Sequence, residues 1–368
     1  MFSSEETNIY YNIYSLVLYL CILFESRKRV ISPTKRQNSI LLLFSLLFIF
    51  VLTYCVDTDF FSYMKMVRDY DFTPGAHNHG EKIYGYLIYF LNKNYFLFRA
   101  IVWGVALFLY YKTSKLLKID TKVSISILSI LFILTFSYAR ASLGMAVFFY
   151  GVAKFLKSNN LISKWFSFII IYSSCFFHSS MIALIGLFLV AVFMPLNKKM
   201  VIVYCSLTIV LALSINQFMD YILMDSVIGA DASLNEKLTG YVEHEVVGPN
   251  FMGIFRNVLE YGAFYIPFII ITLKLYRRAL IKRLPSNIIF IFKILLLLMM
   301  LTTSLFFLNI SSSVFFYRYL FMSMLPMALL ISFFISNNLF THKERTWILG
   351  YGAIANIYAL LYSVYVMI

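Results

Sequence analysis

An all-α polytopic membrane bundle of about 12 transmembrane helices is the fold class that three observations predict. Hydrophobic residues make up 61% of the chain, charged ones 13%, and mean hydropathy is +0.81. That is more apolar surface than a water-soluble protein of 368 residues can bury, so the solvent is lipid. The apolar runs are about 16 to 22 residues long and do not alternate with polar residues. Only helices and closed barrels satisfy their backbone groups in lipid, and this pattern selects helices. Finally, Lys and Arg cluster in every second connection, as in loops that stay on the cytoplasmic face. Phe (38) and Tyr (28) are spread throughout, so 1–368 reads as one integral membrane domain.

The first span, about Ile9–Phe24, follows a tail that carries Glu5 and Glu6 and lacks the basic start of a secretory signal. Arg27, Lys28, Arg29, Lys35 and Arg36 follow it, so this loop is read as cytoplasmic and the N-terminus as outside. A second span near Ile40–Cys55 returns outward. The first outer loop covers 56–95. It holds Asp57, Asp59, Asp69, Asp71, Glu81, Arg68, His77 and His79, and Lys82–Leu91 is read as an aromatic helix dipping into the outer leaflet. A span near Phe96–Tyr111 goes inward to Lys112, Lys115, Lys118 and Lys122.

Two hairpins follow, built from four short spans: Lys122–Ser137, Ser142–Leu156, Trp165–Phe177 and Ser179–Phe193. Lys154, Lys157 and Lys164 lie between the hairpins, and Lys198 and Lys199 lie after them. The turn inside each hairpin carries no lysine. One holds Arg140 in "SYARASLG", the other His178 in "CFFHSSM". If lysine marks the cytoplasmic face, Arg140 and His178 meet on the opposite face.

A span near Val201–Ile215 leads out to the second outer loop, 216–252, which is acidic through Asp220, Asp225, Asp231, Glu236, Glu243 and Glu245. Spans near Gly253–Lys274, Asn287–Leu308, Leu320–Phe334 and Trp347–Val366 complete the count, with Arg256 near the start of the first and Arg318 in a short outer turn. Both termini are read as outside. All 17 Asp and Glu except Glu25, Asp120 and Glu344 then fall outside. The positive-inside rule does not require that excess of acid, which marks the outer surface as the working one.

Several classes are excluded. The four cysteines lie in or beside apolar runs without paired spacing and read as buried thiols. CxxC, HExxH and glycine-rich phosphate loops are absent, so no metal and no nucleotide cofactor is expected. The net charge of +14 belongs to inner loops rather than to nucleic-acid binding.

Arg99, Arg140, Arg256 and Arg318 each sit at the start or end of an apolar span on the outer face. Snorkelling to lipid headgroups accounts for any one of them. Four together favour a ligand, because orientation selects against outer positive charge. Arginine grips phosphate with two parallel N–H donors and stays charged at any working pH. A lipid-linked phosphate or pyrophosphate is the ligand this points to. His178 is read either as a histidine hydrogen-bonded to a neighbouring helix or as a general base for a sugar hydroxyl. Asp57, Asp59 and Glu81 are read either as solvated loop charges or as sugar-binding or acid/base carboxylates. Tyr63 fits an interfacial aromatic belt, with sugar stacking as the other reading.

The stretches "DTDFFSY", Glu81 ahead of "YGYLIYFLN", "YARASLGMAVFFYGVAKFL", "FFHSSMIAL" and "FFYRY" together resemble the EpsG family, the Wzy-like polymerases of bacterial exopolysaccharide and O-antigen synthesis. The resemblance runs over roughly residues 50–335. In the family a glutamine or similar polar residue follows the arginine; here Ala141 and Ser142 follow Arg140. The resemblance implies a GT-C-like multi-span transferase of the bacterial plasma membrane. Its substrate would be an undecaprenyl-pyrophosphate-linked oligosaccharide, and capsule or O-antigen polymer its product. It would work among membrane lipids, with a chain-length regulator and a flippase as partner proteins. Arg140 would bind pyrophosphate with Arg318, Arg256 and Arg99 as helpers, His178 would be the base, and Asp57, Asp59, Glu81 and Tyr63 would hold sugar. Rival readings are a transporter or flippase of the same lipid-linked sugar and a multi-span acyltransferase of surface sugar. A transporter should show repeated halves and charges lining a path, whereas here the ionisable residues collect at one face.

Overall fold

The computed structural model describes residues 4–32, 40–53, 58–73, 82–131, 139–193 (without 179), 202–210, 284–307 and 313–367, with isolated residues at 195, 197, 213 and between 270 and 277. Regular structure among them is helical throughout. The chain divides into two compact units, Met1–Ile185 with Ala328–Ile368, and Gly186–Met327.

The first unit holds α1 (Ser4–Ile31), α2 (Ile40–Thr53), α3 (Thr58–Arg68), α4 (Lys82–Phe90), α5 (Tyr95–Leu116), α6 (Thr121–Leu131), α7 (Ala139–Lys157), α8 (Leu161–Ser173) and the start of α9 (Met181–Phe193). α5 packs on α7 and α7 on α8, while α1 packs on α2, α6 and the C-terminal helix. Local sequence sets the boundaries. Asn94 caps α5 by accepting from the Leu97 amide at 3.1 Å, and Asn160 caps α8 by accepting from the Ser163 amide at 2.7 Å. α5 ends in a left-handed residue, Lys118 (φ 58°), with Ile119 N–H bonding back to the Ser114 carbonyl at 2.9 Å. Ser114 and Ser124 share a 2.7 Å hydroxyl bond, and Ser124 donates to the buried Tyr110 hydroxyl at 2.9 Å, tying α5 to α6.

Close backbone approach joins α7 to α8. A Cβ on Gly151 would lie 2.8 Å from Ile171 Cγ1 and 2.9 Å from its backbone nitrogen. Only a residue without a side chain fits there, as at many helix contacts within membranes. On its far side α8 exposes Leu161, Trp165, Ile169 and Tyr172 at helical spacing. An outward apolar stripe of that kind is what a lipid-facing helix presents.

The same unit takes in the end of α11 (Ser313–Ser336) and α12 (His342–Met367). Arg345, buried, gathers the Phe340 carbonyl at 3.1 Å, the Asn338 side-chain oxygen at 2.8 Å and the Ile31 carbonyl at 3.5 Å. It thereby fastens the start of α12 to the end of α1. Midway along α12, Asn356 donates to the Ile130 carbonyl of α6 at 2.6 Å.

In the second unit, helical residues 202–210, α10 (Ser286–Phe307) and the last part of α9 pack together. Lys293 reaches the Ala191 carbonyl at 2.9 Å, Phe188 packs edge-on against Phe290, and the Tyr204 hydroxyl donates to the Pro195 carbonyl at 3.1 Å.

The expected helices recur with longer ends: the span near Phe96–Tyr111 is Tyr95–Leu116, and that near Leu320–Phe334 is Ser313–Ser336. One element was not expected. α3 lies within 56–82, which reads as a loop. Its apolar residues Tyr63 and Val67, one turn apart, are both buried. Among the described residues, 3 helical stretches are long and apolar enough to cross a membrane: Tyr95–Leu116, Ser286–Ser304 and Tyr319–Ser336. The four short apolar helices Ile40–Leu52, Thr121–Leu131, Leu161–Phe176 and Met181–Phe193 fall below that length. The spans near Val201–Ile215 and Gly253–Lys274 are only partly within the described residues.

Candidate functional site

Arg140 is the second residue of α7, half-buried. Its Nε–H donates to the Tyr63 hydroxyl at 3.3 Å, and its guanidinium carbon lies 5.3 Å from the centre of the Tyr63 ring. Tyr63 is itself buried on α3. An arginine held through Nε against a phenol ring has its guanidinium plane set by the protein, the orientation a planar oxyanion partner requires. Asp59 stands one turn before Tyr63 on α3.

One turn along α7 from Arg140 is Gly144, on the same helix face. A Cβ there would meet Met181 Cγ at 3.1 Å and His178 Cβ at 3.2 Å. The turn between α8 and α9 therefore seats its histidine directly on α7, beside the arginine end. Among the described residues, the α8–α9 turn lies against α7 one helical turn from Arg140.

Local hydrogen bonding holds that turn. α8 passes into a short 3₁₀ turn, Ser174–Phe176. The His178 amide bonds back to the Ser174 carbonyl at 3.2 Å, and the Met181 amide donates to the His178 carbonyl at 3.0 Å. The Ser180 amide donates to His178 Nδ1 at 3.2 Å, so the imidazole caps the entry to α9. Tyr84 on α4 braces the turn from outside. Its hydroxyl donates to the Phe177 carbonyl at 3.0 Å and its ring packs edge-on against Phe98 on α5. From sequence Tyr84 reads as one more interfacial aromatic; its position before a glycine in "YGYL" carries no signal of this bond.

Arg99 does different work. It is 2% exposed, donates from Nη2 to the Val51 carbonyl at 3.0 Å, and stacks on Trp103 with its guanidinium carbon 4.2 Å from the ring centre. Val51 lies in the last turn of α2, where carbonyls lack helical partners. Arg99 thus caps α2 and locks it to α5. Arg68 ends α3 and is exposed. The nearby Asp71 carboxylate is taken up locally: the Thr73 hydroxyl at 2.6 Å and amide at 2.9 Å hold its pKa below the usual carboxylate range. Asp57, Glu81 and Arg256 lie outside the described residues, as do the side chains of Asp59 and Arg318.

The far end of α7 has another character. A cavity of about 350 Å³ is lined there by Lys154, Lys157, Asn160 and Ser163. At 1.5 Å per residue Lys154 is about 21 Å along the helix from Arg140, most of a bilayer's hydrocarbon thickness. The hairpin therefore presents arginine and histidine at one end and lysines at the other.

No curated protein and no solved structure matches the chain significantly. A family match covers residues 39–368, which takes in α2 to α12 and every residue of the arginine–histidine cluster. With Arg140, Tyr63 and His178 assembled from segments that all fall inside that match, the chain belongs to the EpsG family.

Proposed function

We propose that this protein polymerises undecaprenyl-pyrophosphate-linked oligosaccharide repeat units on the outer face of the bacterial plasma membrane. The observation that carries the reading is the packing of the His178 turn onto Gly144, one helical turn from Arg140 and its Tyr63 support. An arginine fixed beside a histidine, at the end of α7 opposite the lysines, suits a ligand that is both a phosphate and a sugar. Family membership supports the same chemistry.

In this reading the chain is a single GT-C-like membrane domain of about twelve spans with both termini outside. The hydroxyl at the far end of a new repeat unit attacks the anomeric carbon of the growing chain. The carbon–oxygen bond to pyrophosphate breaks as the new glycosidic bond forms, and the stored energy is that of the glycosyl pyrophosphate, so no nucleotide is consumed. Arg140 stabilises the negative charge that develops on the leaving group, an interaction that strengthens in the transition state. Arg318 and Arg256 assist it, and Asp57, Asp59 and Glu81 position sugar hydroxyls. A flippase would supply substrate and a chain-length regulator would set product size.

Purified full-length protein in proteoliposomes, given lipid-linked repeat units and no nucleotide, should produce a ladder of elongated glycan and release undecaprenyl pyrophosphate. Movement of the lipid-linked sugar across the bilayer without elongation, or acyl transfer to it, would overturn the proposal in favour of the corresponding rival.

A further inference from the structure

We propose that His178 serves the reaction as a neutral hydrogen-bond donor to the departing pyrophosphate through Nε2–H, and not as the general base. This rests on the polymerase reading for its substrate, but the protonation state rests on geometry alone.

The Ser180 amide bonds to Nδ1 at 3.2 Å. A backbone amide can only donate, so Nδ1 must accept and carries no proton. In the neutral imidazole the proton is then on Nε2, which makes that nitrogen a donor. Two further bonds hold the backbone that carries the ring: the His178 amide to the Ser174 carbonyl and the Met181 amide to the His178 carbonyl. For the ring to act as base, a nitrogen must offer a lone pair to the acceptor hydroxyl. Nδ1 has spent its own on Ser180, and Nε2 already bears hydrogen.

A donor has a clear use at this place. Arg140 sits one turn away on α7 and holds a fixed guanidinium. Departure of pyrophosphate places new charge on the bridging oxygen. An N–H beside the guanidinium shares that charge without giving up a proton. The atoms then balance as follows: the acceptor oxygen bonds to the anomeric carbon, the pyrophosphate leaves with the bonding electron pair, and the acceptor's proton passes to a carboxylate. That proton is assigned to Asp59, whose backbone position is one turn before Tyr63 on α3.

Three substitutions at one position separate the possible roles. Glutamine places an amide N–H where imidazole has Nε2; asparagine places its polar atoms where imidazole has Nδ1. His178→Gln should keep elongation within about fivefold of wild type, while His178→Ala and His178→Asn lose about 100-fold, the effect of removing one charge-stabilising donor. Rescue by asparagine but not glutamine would mean that His178 merely caps α9. Loss in all three, with unchanged thermal stability, would restore the base. Either result overturns the proposal. A second measurement needs no turnover. In ¹⁵N-histidine-labelled full-length protein in detergent, the signal missing from His178→Gln identifies the ring, and its shifts should show Nε2 protonated and Nδ1 bare. A proton on Nδ1 overturns the proposal by itself, whereas failure of wild type to elongate glycan would unseat only the polymerase reading.

Discussion

Arg140→Lys loses at least about 100-fold in polymer formation, and Arg140→Ala no less, while both variants fold and insert normally. Lysine keeps the charge but not the fork. Its ammonium is a hydrated point charge that can neither donate in parallel to two phosphate oxygens nor lie against the Tyr63 ring in the same way. The loss corresponds to about 2.7 kcal/mol of transition-state stabilisation. It falls on turnover rather than on folding, because Arg140 is only half-buried at the first turn of α7 and its hydrogen bond to Tyr63 of α3 is a long one, at 3.3 Å. Single lipid-linked repeat units should accumulate in cells that carry either variant. Gel separation of extracted glycan reads the polymer, and quantitation of the lipid-linked precursor reads the substrate. Normal chain length in Arg140→Ala would remove pyrophosphate binding from this site.

Gly144→Val has a comparable effect by a different route. A single added carbon at this position already meets Met181 and His178 at 3.1 and 3.2 Å, closer than ordinary van der Waals contact. Alanine needs the neighbours to give by a few tenths of an ångström, and the methionine side chain can supply that. Valine adds two methyl groups beyond the Cβ and must push the turn carrying His178 off α7. A displacement of about 1 Å in a reacting group costs about 100-fold in rate. The accompanying overpacking destabilises the fold by about 1–3 kcal/mol, small enough to leave the protein folded. Gly144→Ala should therefore stay within about tenfold of wild type, and Gly144→Val should fall about 100-fold with expression retained. Equal activity of the two variants would show that the turn does not need this seat.

Much of this arrangement is readable in the sequence because lipid punishes stray polarity. Arg140 and His178 are the only arginine and histidine in two lysine-free turns between apolar spans, so their expected common end follows from the lysines alone. What the sequence conceals is detail that depends on a neighbour. Gly144 is one glycine in a helix until Met181 and His178 are placed across from it. Arg99 and Arg140 look alike as arginines at the edge of apolar spans. Only the fold shows that the first is spent on the Val51 carbonyl and Trp103, and the second on Tyr63 at the tip. α3 is hidden because Asp59, Lys65, Arg68 and the acids that flank it give the stretch the composition of a loop, while Tyr63 and Val67 are buried and the helix packs against α5. The histidine shows a further limit. Residue type alone favours a base, yet the choice between base and donor turns on one amide two residues along the chain.

The juxtaposition of the two turns can be read directly by disulfide trapping. In a chain with Cys21, Cys55, Cys175 and Cys205 replaced by alanine, the pair Gly144→Cys and His178→Cys puts two Cβ atoms 3.2 Å apart, a few tenths of an ångström short of the separation in a disulfide. Mild oxidation in membranes should close that bond as readily as in a Ser114→Cys and Ser124→Cys control, at positions whose hydroxyls lie 2.7 Å apart. Closure of the control bond with none between positions 144 and 178 would place the histidine away from Arg140, and the shared pyrophosphate-and-sugar pocket would be gone.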